Sequence, residues 1–221
     1  MRGICLPIDK KSILKGLEEA KKTTEKRKFV QTVNLILTLK DIDLKIPENR
    51  INELIELPHP PKPKTYITVF ASGDLALKAK AGADMVLGKE DIEHFINDKK
   101  GVKKLVAETD FFLAETSLMS TVGKVLGPIL GPRGKMPTPV SPTAPIDTII
   151  NKHRKSIRLR VRDQPNIQIS VGTEEMENDM LVENIQAIIT LLERRLVKGQ
   201  KNIKEAYIKT TMGPSASINM R

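Results

Sequence analysis

Two proline-rich segments constrain the fold of this chain more than any other feature. Of its fourteen prolines, four lie in 58–63 and six lie between 128 and 145. Proline lacks a backbone donor and has a fixed φ, so such segments seldom continue a helix or a central strand. We therefore read them as the joints on either side of an inserted domain. The prediction is an inserted domain over 63–151 and a discontinuous domain over 1–62 and 152–221.

The middle segment alternates short apolar runs with helical stretches. The runs lie at 66–71, 85–87, 105–107 and 111–113, and the run 85–87 is expected to be a buried strand. The helices are expected at 72–80, 90–98 and 117–126. Strand and helix in alternation indicate a small, mostly parallel sheet with helices on both faces. The inserted domain is predicted to be doubly wound and Rossmann-like.

The outer segments have a different pattern. Residues 10–27 have helical spacing, and the alternation of Val33, Leu35, Leu37 and Leu39 with the residues between them predicts a strand with one buried face. Strands are predicted at 156–162, 166–171 and 205–211, with a long helix between the last two. One helix and one strand cannot fold alone, because the strand would leave its backbone groups unpaired. The two ends of the chain are therefore expected to combine in a split α/β sandwich.

Charge indicates an anionic partner for the outer segments. The chain has 37 basic and 27 acidic residues, a net charge of +10. Segment 1–62 has 13 basic and 9 acidic residues, segment 152–221 has 13 and 8, and segment 63–151 has 11 and 10. Nucleic acid is the commonest partner of such a protein. Aromatic residues make up only 3% of the chain, so we expect a structured RNA rather than stacked single strands.

The same composition limits where the protein works. Cys5 is the only cysteine, so no disulfide framework is expected and the compartment is predicted to be the reducing cytosol. The first residues do not have the pattern of a signal peptide, and no apolar run reaches the ~18 residues of a membrane span. A cytoplasmic protein without a membrane partner is predicted.

Three arginines alternate with apolar residues at the start of the last third of the chain. They are Arg158, Arg160 and Arg162, and Ile157, Leu159 and Val161 lie between them. Like charges on one strand face repel unless an anion lies nearby. The guanidinium group matches phosphate with two parallel hydrogen bonds. An RNA-facing strand is expected, with an ordinary solvated strand face as the alternative.

The last predicted strand ends in the sequence Thr210-Thr211-Met212-Gly213-Pro214. Glycine and proline end the ladder, so hydroxyls, a thioether and a bare backbone would lie together at a sheet edge. Such an edge lets a polar partner approach the main chain. A frayed strand end is the alternative interpretation.

A glycine- and proline-rich segment, 127–137, contains Leu-Gly-Pro-Arg-Gly-Lys-Met-Pro and is expected to be a loop. It is not a phosphate-binding P-loop, because Ile129 and Met136 stand where that motif needs glycine and a hydroxyl. Together with Thr-Met-Gly-Pro-Ser at 211–215, it resembles the family of the universal large-subunit ribosomal protein one, the protein of the lateral ribosomal stalk. The resemblance covers the whole chain.

The resemblance implies a function without catalysis, cofactor or metal. It implies a monomer when free that binds large-subunit rRNA, helps deacylated tRNA leave the exit site, and represses translation from its own mRNA leader. It also implies an RNA surface that includes Lys28, Phe29 and Thr32 of a Lys-Phe-x-x-Thr stretch. Val30-Gln31 stand where bacterial relatives have acidic residues, which indicates the archaeal branch. The full predicted RNA-binding set is Lys28, Phe29, Gln31, Thr32, Asn34, Arg158, Arg160, Gln168, Ser170, Thr210, Thr211, Met212 and Gly213, with Arg133 and Lys135 as secondary contacts to RNA or tRNA.

Two other functions stay open on the residues alone. A doubly wound domain could belong to a nucleotide-dependent enzyme, although no Gly-x-Gly-x-x-Gly turn follows its first strand. His59, His94 and His153 have no metal-ligand spacing. The chain could also be a general basic chaperone of nucleic acids, which would bind many of them equally.

Overall fold

The computed structural model of the chain describes residues 10–25, 27–46, 50–96, 98–161, 164–196 and 198–218. Cys5, Lys26 and Arg162 lie outside the described residues. The chain forms two compact units, an outer one that ends at Lys62 and resumes at Lys155, and a middle one over Pro63–Arg154. The join predicted at 151/152 falls within a helix, and the middle unit ends with that helix.

The helices and strands alternate along most of the chain. In chain order they are α1 Lys10–Lys22, β1 Thr32–Leu39, β2 Asn52–Glu56, β3 Ile67–Phe70, α2 Gly73–Gly82, β4 Met85–Leu87, α3 Lys89–His94, α4 Lys99–Glu108, β5 Phe111–Glu115, α5 Met119–Val125, α6 Gly127–Arg133, β6 Thr138–Val140, α7 Ile146–Arg154, β7 Ser156–Arg160, β8 Asn166–Thr173, α8 Asn178–Arg195, β9 Ile203–Thr210 and β10 Ser215–Ile218. A short 3-10 helix, Gly199–Asn202, precedes β9.

The outer unit is built around an antiparallel sheet in the order β10-β9-β1-β8. Strand β1 alternates buried and half-buried residues, with Val33, Leu35, Leu37 and Leu39 in the core. Apolar residues of α1 and α8 belong to the same core, so one sheet face is covered. The other face carries the polar positions of each strand. Strands β2 and β7 form a separate antiparallel pair.

The middle unit is a parallel sheet in the order β4-β3-β5-β6. This doubly wound order, together with the antiparallel outer sheet, confirms the predicted α/β fold class. The strand predicted at 105–107 is wrong, because these residues lie in α4. Val102, Leu105 and Val106 are buried at helical spacing, so the apolar run is the inner face of an amphipathic helix.

Two further expectations for the middle unit are corrected. Strand β4 was expected to be buried, but it lies at the sheet edge and exposes Met85. Segment 127–133 was expected to be a loop, but it forms α6. Pro128 stands in the first turn, where its missing N–H costs nothing, and Gly134 ends the helix with a φ of 68°.

Helix α1 stops at Lys22, five residues before the predicted end at 27. The hydroxyl of Thr24 donates to the carbonyl of Ala20 at 2.5 Å, and Thr23 bonds in the same way to Glu19. Hydroxyls that compete for backbone carbonyls weaken a helix end. The chain therefore leaves the helix early and has room to turn into β1.

Candidate nucleic-acid interface

The two ends of the outer unit meet where β1 begins and β9 ends. Val33 pairs with Thr210 in the sheet register. Just outside the ladder, the N–H of Thr32 donates to Thr211 Oγ1 at 3.0 Å, and that hydroxyl lies 3.3 Å from the carbonyl oxygen of Thr32. The Lys-Phe-x-x-Thr and Thr-Met-Gly segments, 179 residues apart in sequence, are thus neighbours in the fold.

Gln31 holds these two segments together through hydrogen bonds. Its side chain is fully buried, with 0% exposed. Its amide nitrogen donates to the carbonyl of Glu25 at 3.1 Å, and its amide oxygen accepts from the N–H of Met212 at 3.1 Å. Its own carbonyl accepts from the N–H of Glu174 at 2.9 Å. Gln31 was predicted to contact RNA, but the structure gives it a positioning role beneath the surface.

A chain of hydroxyls fixes the turn after β9. The N–H of Gly213 donates to Thr210 Oγ1 at 3.1 Å, and the Thr210 and Thr24 hydroxyls lie 2.7 Å apart. Thr24 in turn donates to the end of α1. A Cβ on Gly213 would collide with the hydroxyl oxygens of Thr210 and Thr24, so packing requires glycine at this position. Thr210 is buried as well and supports the turn rather than facing solvent.

The same two segments carry a group of exposed side chains that we call the Phe29–Met212 patch. Phe29 is 51% exposed and Met212 is 62% exposed. The other members, also exposed, are Lys28, Val30 and Thr211. Phe29 is therefore not part of the hydrophobic core. Large apolar side chains that stay exposed on a backbone fixed by hydrogen bonds indicate a contact surface.

The uncovered face of the outer sheet continues from this region as rows of mostly polar residues. Cross-strand pairing aligns one row of Ser170, Asn34, Lys209 and Ser215, and a second of Gln168, Ile36, Tyr207 and Ser217. The Tyr207 hydroxyl donates to Glu205 at 2.9 Å, and this bond raises the pKa of Tyr207. The Ser170 hydroxyl is shielded from solvent without a hydrogen-bond partner among the described residues. Such an unpaired buried hydroxyl is unusual.

The arginine strand is not hydrogen-bonded into the sheet that carries these rows. Arg158 and Arg160 are half-buried in β7, which pairs with β2 and not with the four-stranded sheet. Neither guanidinium forms an ion pair with a described carboxylate. Burial lowers the pKa of Arg158. A partly desolvated guanidinium without a carboxylate suits phosphate, but the structure does not join it to the Phe29–Met212 patch through the sheet.

Lys135 and Arg133, the two residues predicted as secondary contacts, differ in how their charged groups are used. The Lys135 ammonium donates to the carbonyls of Val106 at 2.8 Å and Thr109 at 2.5 Å, at the end of α4. A cation there complements the negative end of the helix dipole, so Lys135 has a structural use. Arg133 is exposed at the last residue of α6.

Glu115 fills the crevice in which open α/β sheets bind nucleotides, at the carboxyl ends of β3 and β5. Its carboxylate accepts from Ser117 Oγ at 2.7 Å, Ser72 Oγ at 2.8 Å and the Ser72 N–H at 2.9 Å. These bonds, led by that from Ser117, lower the pKa of Glu115. A carboxylate in this place repels phosphate.

A cavity on the middle unit lies away from this crevice. It has a volume of about 490 Å³ and is lined by residues at the amino ends of β3 and β4, among them Tyr66 and Met85. No group of three potential metal ligands occurs among the described residues. None of the helices that the structure describes could cross a membrane.

Residues 20–214 match the model of the ribosomal protein L1p/L10e family. The chain belongs to this family. It is 45% identical over 212 residues to the large ribosomal subunit protein uL1 of Methanosphaera stadtmanae, covering 96% of this chain and 98% of the relative. It is 42% identical to the proteins of the same name from Methanothermobacter thermautotrophicus and Archaeoglobus fulgidus, covering 93% and 96% of this chain and 98% and 99% of theirs. These relatives are archaeal, as the resemblance indicated. Membership makes the chain a cytoplasmic ribosomal protein and not an enzyme.

Sequence reasoning missed part of the site. Tyr207 and Lys209 share the open face with Asn34, and the two-residue period around the buried Ile208 could have revealed them. The contact of Thr24 with Thr210 spans 186 residues, and no local signal in the sequence announces it.

Proposed function

We propose that the chain is a constituent of the large ribosomal subunit and binds a folded element of rRNA through the Phe29–Met212 patch and the polar rows beside it. The observation that carries the proposal is the exposure of Phe29 and Met212 on a backbone fixed by buried Gln31. A surface that keeps its shape without ligand loses little entropy on binding. Its neutral hydroxyls and amides suit ribose hydroxyls and base edges, which distinguish RNA from DNA.

The decisive experiment compares binding of an rRNA fragment from the lateral stalk with binding of an unrelated RNA duplex. Met212→Ala and Thr211→Val are each expected to weaken binding of the stalk fragment by roughly 1–3 kcal/mol. Each removes a protein group that contacts RNA, so the RNA group opposite it is left unpaired or uncovered. Met136→Ala, an exposed methionine of the middle unit, is the matched control. Full affinity in both patch variants would refute the assignment.

The finer role follows from the family resemblance. We propose that the bound protein assists the exit of deacylated tRNA and represses translation of its own mRNA, whose leader would imitate the rRNA element. A monomer when free is proposed. Competition between the stalk fragment and the leader for one site tests the repression. Met212→Ala should weaken the binding of both RNAs equally.

The two alternative functions are less well supported. A nucleotide-dependent enzyme would need the crevice that Glu115 fills, and the family is one of ribosomal proteins. A general nucleic-acid chaperone would bind through distributed charge. The patch is instead mostly apolar and neutral, with Lys28 as its one charged member. Equal affinity for duplex DNA, single strands and the stalk fragment would be needed to favour a general chaperone.

A further inference from the structure

The middle unit contains a basic surface that is separate from the proposed site. Segment 63–151 has 11 basic and 10 acidic residues, so its net charge is only +1. Four of those basic residues nevertheless fall within the six residues 99–104, and no acidic residue interrupts them. Charge in this unit is therefore concentrated on α4.

The geometry of α4 directs these lysines to solvent. Val102, Leu105 and Val106 are buried and form the inner face. Lys100, Lys103 and Lys104 are exposed on the opposite side. At 3.6 residues per turn the three lie within about a third of the helix circumference. We call them the α4 lysine face.

This arrangement works against the helix. Like charges three and four residues apart repel each other, and lysines in the first half of a helix oppose its dipole. The first turn contains no acidic residue, and the N-cap Asp98 uses its carboxylate on the N–H of Gly101 at 2.9 Å. None of the three lysines forms an ion pair with a residue that the structure describes. A feature that opposes local stability without internal compensation is expected at a functional surface.

We propose that the α4 lysine face binds the phosphate backbone of RNA. The inference rests on the proposed function, since it takes RNA as the partner of this face. Lysine is a compact, rotatable point charge that neutralises phosphate without reading sequence. The face supplies the contact in the middle unit that Lys135 cannot readily supply, because the Lys135 ammonium is engaged at the end of the same helix.

The test measures the salt dependence of binding of the full chain to a short RNA duplex of arbitrary sequence. The variant is Lys100→Gln, Lys103→Gln and Lys104→Gln together, and glutamine is chosen because its helix propensity is close to that of lysine. The matched control is Lys78→Gln with Lys80→Gln, two exposed lysines on α2 of the same unit. Circular dichroism verifies that both variants are folded.

In the triple variant, the slope of log affinity against log salt is expected to become shallower by roughly 2. The control should retain the wild-type slope. A triple variant with the same salt slope as the control would overturn the inference. The same result is expected if the lysines face an acidic protein and not RNA. The proposed function fails by a different result, namely a wild-type chain that does not prefer the stalk fragment to the duplex.

Discussion

Gln31 offers the sharpest test of the idea that a buried support shapes the RNA surface. In Gln31→Glu the side chain keeps its size, and one oxygen still accepts from the N–H of Met212. The atom that donated to the carbonyl of Glu25 becomes a second acceptor, so a hydrogen bond is replaced by repulsion between two oxygens. A negative charge is also placed at a site that is fully buried.

The magnitude follows from these two changes. A buried acceptor left without its donor costs about 1–3 kcal/mol, and desolvation of the carboxylate adds to that. We expect the free energy of unfolding to fall by about 2–4 kcal/mol at pH 7. Burial raises the pKa of the introduced carboxyl above its value in the unfolded chain. The penalty is therefore full above the folded-state pKa and shrinks as the pH falls through it, because the protonated group regains a donor.

The assay combines urea unfolding at neutral and acidic pH with binding of the stalk fragment. Affinity at neutral pH should fall at least about tenfold, or 1.4 kcal/mol, although Gln31 is fully buried in the free protein. Gln31→Ala, which adds no charge, should weaken binding in the same direction. Gln168→Glu, on the exposed face of β8, is the control for charge alone and should leave the free energy of unfolding unchanged. Wild-type unfolding and binding in Gln31→Glu would refute the reasoning.

Two other substitutions test neighbouring features. Gly213→Ala should lower both the free energy of unfolding, by about 1–3 kcal/mol, and RNA affinity, because its Cβ collides with two supporting hydroxyls; unchanged urea unfolding would show that the turn has room. Glu115→Gln should cost about 1–3 kcal/mol in thermal unfolding at pH 7 but little in acid, while RNA binding is retained. The sign follows from the lowered pKa of Glu115: its contribution is present above the unfolded-state pKa and is lost as the pH falls through the folded-state pKa. A pH-independent difference would contradict that cause.

Local patterns were enough to predict most of the fold. The two-residue period of Val33 to Leu39 marks one buried face, and β1 has that face. The pattern failed where period and length were ambiguous. Leu105 and Val106 read equally well as a short strand or as the inner face of a helix, and α4 is the helix. Segment 127–137 was expected to be a loop because of its glycines and prolines, but Pro128 lies in the first turn of α6.

The meeting of the two chain segments was predictable, but which of their residues are buried was not. Gln31, Thr210 and Met212 all belong to the predicted RNA-binding set, and the structure brings them together. Which of them is buried depends on packing against α1 and against Glu174, residues distant in sequence. Solvent exposure separates support from surface, and no single-sequence pattern determines it at the ends of strands.

The most direct test of the account is hydroxyl-radical oxidation of the full chain, read residue by residue with mass spectrometry, with and without the stalk rRNA fragment. Met212 is 62% exposed in the outer unit and Met136 is 44% exposed in the middle unit, so both should oxidise readily in the free protein. On addition of RNA, the account predicts strong protection of Met212 and Phe29 while Met136 stays reactive. Continued oxidation of Met212 in the saturated complex would contradict it.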